Sequence, residues 1–388
     1  MTFEQLVRAK TGLHLEAAMP TQPAPKPVPI ELRGIWIASV TNIDWPSRTG
    51  LTPAQQQAEL VDYYDLAMAH GFNTVAVQVR PTADTFWPSP LEPWSKYLTG
   101  TQGKDPGYDP LAFAVAEAHR RNLDFHAWFN PFRITMNLAD VAGLTSTHPA
   151  KSRPEWTVAY GGRLYYNPGV PEARKFCQAV ILDAITKYDI DAVHFDDYFY
   201  PYPVAGEVFH DEAQYAQYGA GRSLADWRRD NINALITELG SAIKTAKPWV
   251  KFGVSPFGVW MNQTNDARGS ATQAGVQTYA DLCADTLWVP RTVSPPLIST
   301  FPQADLTITF PGQPSMIARC GLPTPPAWCS FGAELAGSDP HDRQRLIRSA
   351  TAVPSAGPSE RQAEATPRLA GLCNERCFRR VRSVGLST

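Results

Sequence analysis

The sequence has no run approaching the roughly 20 consecutive apolar residues of a membrane-spanning helix, and residues 1–30 carry no apolar block of the kind that opens a signal peptide. The expectation is a soluble chain that either stays in the cytoplasm or lacks its true start and export signal. An excess of either charge is also missing: 35 Lys and Arg face 37 Asp and Glu, a formal net charge of -2. No basic stripe is available to neutralise a phosphate backbone, so neither nucleic acid nor an anionic membrane is the expected partner. Cysteine is sparse and uneven, with four of the six (Cys320, Cys329, Cys373 and Cys377) after residue 319. Cys373 and Cys377 are spaced C-x3-C, but the other half of a zinc site is not evident, so neither a metal nor a cofactor is expected. No period of solenoid length recurs. The 388 residues suffice for one α/β barrel of about 250 residues with extensions.

Three segments follow from composition. Residues 1–30 end in Thr21-Gln22-Pro23-Ala24-Pro25-Lys26-Pro27-Val28-Pro29, whose prolines fix the backbone and withhold donors, giving an extended segment. Over 31–289, short apolar runs alternate with helical patterns, the signature of βα units on a parallel sheet. Strands are expected over Leu32–Ser39, Thr74–Arg80, Leu123–Asn130, Ile190–Asp196 and Val250–Ser255. Helix starts are marked by Thr52-Pro53-Ala54-Gln55, by Asp109-Pro110 and by Ser223 with Asp226, and Gly71 stands where a C-terminal glycine would close the first of them. Phe176, Val180 and Ala184 form one apolar stripe, and Ile232, Ile236 and Leu239 another. The third segment, 290–388, is rich in Pro, Arg, Ser and Cys and loses the strand pattern.

Alternation within strands predicts which side chains enter the barrel. Val75, Val77 and Val79 face the helices, leaving Ala76, Gln78 and Arg80 toward the axis; His126, Trp128 and Asn130, and then Ala192, His194 and Asp196, face inward in the same way. Polar groups therefore collect at C-terminal strand ends, where barrel enzymes keep their chemistry. The strongest feature is His194-Phe195-Asp196-Asp197-Tyr198-Phe199-Tyr200-Pro201. Adjacent carboxylates in a cleft repel, which raises one pKa, lowers the other and separates an acid from a base. Arg80 with Asp84, and Asn130 with Arg133, supply cations, an acid and an amide at two further strand ends. His126 and His194 read either as metal ligands with Asp196 or as hydrogen-bonded histidines that position the acids. The second reading is preferred because no H-x-H or H-x-x-x-H spacing accompanies them. Loop aromatics, Trp45, Tyr198 and Tyr200 among them, suit the apolar faces and hydroxyl rims of sugars, as does Trp128 on its strand.

In order along the chain, Glu31-Leu32-Arg33-Gly34-Ile35-Trp36, Asn42-Ile43-Asp44-Trp45-Pro46, Gln78-Val79-Arg80-Pro81, His126-Ala127-Trp128-Phe129-Asn130-Pro131, Phe195-Asp196-Asp197-Tyr198-Phe199-Tyr200-Pro201 and Ser255-Pro256-Phe257-Gly258 resemble the bacterial glycosyl hydrolase-like 10 family. The resemblance implies a (β/α)8 TIM-type barrel and a glycoside hydrolase acting on a polysaccharide of the bacterial cell envelope, notably peptidoglycan strands stripped of peptides. It also implies an exported or lipid-anchored protein, which residues 1–30 do not display. Asp196 and Asp197 are the expected catalytic pair; Arg80, Asp84, Asn130, Arg133, His126, His194, Tyr198, Tyr200, Trp45 and Trp128 are the expected substrate contacts. Neighbouring acids on one strand end are similar to those of barrel hexosaminidases in which the sugar's own acetamide attacks. Asp196 would then orient the acetamide and Asp197 act as general acid/base, with Tyr198 or Tyr200 as helper. Two other readings stand beside this one: a non-catalytic glycan-binding remnant, and a metal-dependent hydrolase using His126, His194 and Asp196. After Val289 the chain departs from the family pattern, and the expectation is a frameshift there, with five of eight βα units preserved and 290–388 a low-order tail.

Overall fold

The computed structural model describes residues 32–196, 198–256 and 259–286, with the backbone of Leu297–Ile298. All of them fall in one compact unit of the chain, Met1–Ala336. Eight strands are present among them: β1 (Gly34–Ile37), β2 (Thr74–Arg80), β3 (Asp124–Phe129), β4 (Thr157–Tyr160), β5 (Arg163–Tyr166), β6 (Ala192–Phe195), β7 (Lys251–Val254) and β8 (Leu297–Ile298). Six pair in parallel in the order β1-β2-β3-β6-β7-β8, while β4 and β5 form a separate antiparallel hairpin. The five expected strands all form. β8 lies beyond residue 289, where regular pattern was expected to stop. The segment 1–30 and the rest of the expected tail lie outside the described residues, as does the closure of an eight-stranded barrel.

Four long helices cover the sheet: α1 (Pro53–Ala69), α2 (Pro110–His119), α3 (Pro171–Lys187) and α4 (Leu224–Ala246). Their starts follow the sequence signals. Thr52 Oγ1 accepts from Gln55 N while the Gln55 side chain accepts from Thr52 N, so two donors that the first helical turn leaves unpaired are satisfied. Asp109 accepts from Ala112 N at 2.9 Å, and Ser223 from Asp226 N at 3.1 Å. Gly71, at φ +73°, ends α1 in the left-handed region that a Cβ disfavours. α4 buries Ile232, Leu235, Ile236, Leu239 and Ile243 completely, a stripe whose removal from water contributes on the order of 10 kcal/mol as an upper bound. In α3 the buried stripe is Cys177, Val180, Ile181 and Ala184, with Phe176 only partly covered.

The register places like-facing residues in layers. Ala76, His126 and Ala192 are cross-strand partners, and above them Gln78, Trp128, His194 and Gly253. Val75, Val77 and Val79 are buried against the helices. One inward assignment fails. Gln78 pairs with Trp128, but the next partner of Phe129 is Arg80, because the ladder slips by one residue between Gln78 and Arg80. A bulge of this kind reverses the parity of everything after it. Arg80 thus shares the helix-facing side with Phe129 and does not face the axis.

Candidate active site

The inward face of the sheet at this level is aromatic and neutral. Trp36 meets Trp128 edge-on at 4.9 Å between ring centroids and His194 at 4.2 Å. Burial pushes the pKa of His126 down to about 4. Burial, and then the neighbouring His126, holds His194 well below its usual value. Both imidazoles are therefore uncharged at neutral pH. His126 Nε2 and Trp128 Nε1 are buried without a hydrogen-bond partner among the described residues. Among those residues no three His, Cys, Asp or Glu side chains gather in a way that would hold a metal.

The mouth layer stands one residue above. Continuing the pairs Phe129↔Phe195 and Phe195↔Val254 by one step sets Asn130, Asp196 and Ser255 side by side on β3, β6 and β7. Backbone bonds continue the ladders there, from Asn130 N to Arg80 O at 3.0 Å and from Ser255 N to Phe195 O at 2.7 Å. Asn130 is buried and its Oδ1 accepts from Gln78 Nε2, whose own Oε1 accepts from the backbone of Ser39 and Val40 at 2.9 and 2.8 Å. Ser255 Oγ lies 2.9 Å from His194 Nε2. Asp196 is half-buried at the head of β6, and its carbonyl accepts from Tyr198 N at 2.6 Å as the chain turns away. Asp197 lies outside the described residues.

The remaining expected contacts are not gathered at this mouth. Arg80 is fully buried: Nε and Nη2 donate to Glu92 at 2.7 and 2.6 Å, and Nη1 donates to the carbonyls of Asn130 and Pro131. Asp84 is fully buried in the loop after β2, accepting from Lys96 N at 3.3 Å and from Thr82 Oγ1 at 3.3 Å. Burial raises its carboxyl to about 7, against the opposing hydrogen bonds of Ser95 and Lys96 N. Arg133 is buried, donates to Pro81 O and bridges to Tyr165. Trp45 is core, its Nε1 donating to Gln56 O at 2.7 Å and its ring tilted against Phe86. Tyr198 stacks on the outward-facing Phe195, and Tyr200 OH accepts from Asn231 Nδ2 on α4 at 3.2 Å. Both tyrosines are buried; the Tyr198 hydroxyl has no hydrogen-bond partner among the described residues, whereas that of Tyr200 is engaged by Asn231. The residues that sequence reasoning left without a role are Gln78, Ser255 and Glu92. Alternation placed Gln78 inward and Ser255 ended an expected strand, so both carried a signal; no spacing rule links Glu92 to Arg80.

The family model described as Glycosyl hydrolase-like 10 matches residues 31–294. The chain is 58% identical over 258 residues to Glycosyl hydrolase YngK of Bacillus subtilis (strain 168), an alignment covering 66% of this chain and 51% of the relative. It is 40% identical over 278 residues to Glycosyl hydrolase DigH of Escherichia coli (strain K12), covering 67% and 63%. The chain thus spans about half to two thirds of the length of these curated relatives. Among solved structures, α-L-fucosidase isoenzyme 2 from Paenibacillus thiaminolyticus aligns with a TM-score of 0.40 at 12% identity, over 61% of this chain and 34% of that one.

Proposed function

Since this chain belongs to the glycosyl hydrolase-like 10 family, we propose that it is a glycoside hydrolase acting on N-acetylhexosamine-containing glycan of the bacterial cell envelope, peptide-free peptidoglycan strands above all. The observation that supports this reading is the mouth layer, a half-exposed carboxylate at a strand end between an amide and a hydroxyl, each tethered from below. A sugar seated there would set its 2-acetamido group against Asp196. The acetamide oxygen attacks the anomeric carbon, the bond to the leaving oxygen breaks, and Asp197 donates its proton to that oxygen. Water then opens the cyclic intermediate and returns a proton to Asp197. Fixed polar groups aimed at developing charge lower the barrier without reorganising during the reaction. In this reading Arg80, Asp84, Arg133 and Trp45 act by holding the loops around the mouth, and His126, His194 and Trp128 shape its floor.

Incubation of the full chain with peptide-free peptidoglycan strands, followed by mass spectrometry of released saccharides, tests the reading. Turnover inhibited by a thiazoline mimic of the cyclic intermediate is expected, and Asp197→Asn should lose rate mainly on substrates with poor leaving groups. A trapped covalent glycosyl-enzyme, or equal turnover of sugars without the acetamide, would assign the nucleophile elsewhere. The reading includes a (β/α)8 barrel whose family pattern ends near residue 289. Sequencing the coding DNA around that codon in all frames checks the proposed frameshift.

A further inference from the structure

The two flanks of Asp196 are built alike. On the β3 side, Asn130 is fixed by the buried Gln78 from the layer below; on the β7 side, Ser255 is fixed by the buried His194 from the same layer. Neighbouring strands lie about 4.8 Å apart, so side chains one step along both ladders stand within reach of one ligand group. Ser255 is half-exposed at the strand end whereas His194 beneath it is buried, so the hydroxyl presents its remaining hydrogen-bonding capacity upward to the mouth. His194 is itself held against the edge of Trp36 at 4.2 Å. An imidazole kept neutral by burial offers Nε2 either as acceptor or as donor, and in each case Ser255 keeps one hydrogen-bonding direction for a ligand. Second contacts of this kind decide how precisely a binding group is aimed.

We propose that Ser255 is a substrate-contacting residue, aimed by His194 as a positioning residue, whose hydroxyl hydrogen-bonds the acetamido or hydroxyl substituent of the N-acetylhexosamine seated against Asp196. This rests on the glycan reading above and adds to it a specificity group on β7. Ser255 supplies no proton to the reaction and forms no bond to the sugar; its contribution is orientation.

The test is calorimetric binding of an N-acetylglucosamine trisaccharide to the full chain, its Ser255→Ala, Ser255→Thr, His194→Gln and doubly substituted forms. Thermal unfolding of each form confirms that it is folded. Loss of one neutral hydrogen bond predicts a roughly 3- to 10-fold weaker Kd for Ser255→Ala, with most of the affinity restored in Ser255→Thr. His194→Gln should weaken binding, and adding it to Ser255→Ala should weaken binding no further, because His194 acts through the hydroxyl. Unchanged affinity in Ser255→Ala with wild-type binding intact would overturn this inference alone. Additive losses in the double variant would overturn the coupling to His194. Absence of binding by the wild-type chain would overturn the glycan reading and this inference with it.

Discussion

Replacing Arg80 with Met would leave Glu92 as a buried carboxylate stripped of its cation. Both side chains are fully buried, and the guanidinium makes two hydrogen bonds of 2.6 and 2.7 Å to the carboxylate and two more, of 2.7 and 3.0 Å, to the carbonyls of Asn130 and Pro131. Water cannot reach the vacated site to replace those donors. Removing one partner of such a pair costs about 3–5 kcal/mol, because the surviving charge has lost hydration with nothing in return. For a domain of this size the corresponding fall in Tm is roughly 6–20 °C. Calorimetric and urea unfolding of the wild type and of Arg80→Met at neutral pH would measure it. Joint replacement, Arg80→Met with Glu92→Leu, should recover much of the loss, since an apolar pair of similar volume carries no desolvation penalty. A destabilisation under about 1 kcal/mol together with abolished sugar binding would refute the reasoning and return Arg80 to the substrate role that its sequence position suggested.

Asp84 sets a pH dependence: the folded chain keeps its proton from the ordinary value of 3.8 up to about 7, a window in which the unfolded chain has lost it. Stability should therefore fall as pH rises through that window, and Asp84→Asn should flatten the slope of urea midpoints measured from about pH 4 to pH 8; an unchanged slope in the variant would contradict this. Asn130→Ala leaves the buried Gln78 Nε2 without its acceptor and should cost about 1–3 kcal/mol in unfolding experiments, with glycan turnover reduced as well. If stability and turnover both match the wild type, Asn130 contributes to neither. The Cys177 thiol, buried and pushed up to about 12, should resist iodoacetamide in the native chain and react after urea unfolding; peptide mass mapping reads the outcome, and native labelling would contradict its burial.

The parallel strands and helix starts were legible because period-two alternation and capping residues act over a few neighbouring positions. The same alternation set His126, His194 and Gln78 among like-facing layers. It failed at Arg80, where one extra residue slips the ladder, since a bulge leaves no trace in hydrophobic period. The β4–β5 hairpin did have a signal: Gly161-Gly162, both at positive φ of 58° and 70°, join two short runs of β-formers. Trp45, Tyr198 and Tyr200 have the sequence signature of loop aromatics at a groove, yet each is buried, Trp45 against Gln56, Tyr198 against its near neighbour Phe195 and Tyr200 against the distant Asn231. Composition near a loop cannot distinguish a ring facing solvent from one turned under it.

The slip at Gln78 and Arg80 has an electrostatic result at the mouth. It diverts a guanidinium into a closed pair on the helix side, and the inward side chains Gln78, Asn130, Ser255, His126 and His194 carry no positive charge at neutral pH. Those inward groups therefore offer no cation to an acidic ring, and low-dielectric aromatic walls make an unpaired charge beside them costly. On the glycan reading proposed above, a ring bearing a carboxylate at that depth would find no cation among these groups, so an acidic residue of a mixed glycan would sit in a neighbouring position of the cleft.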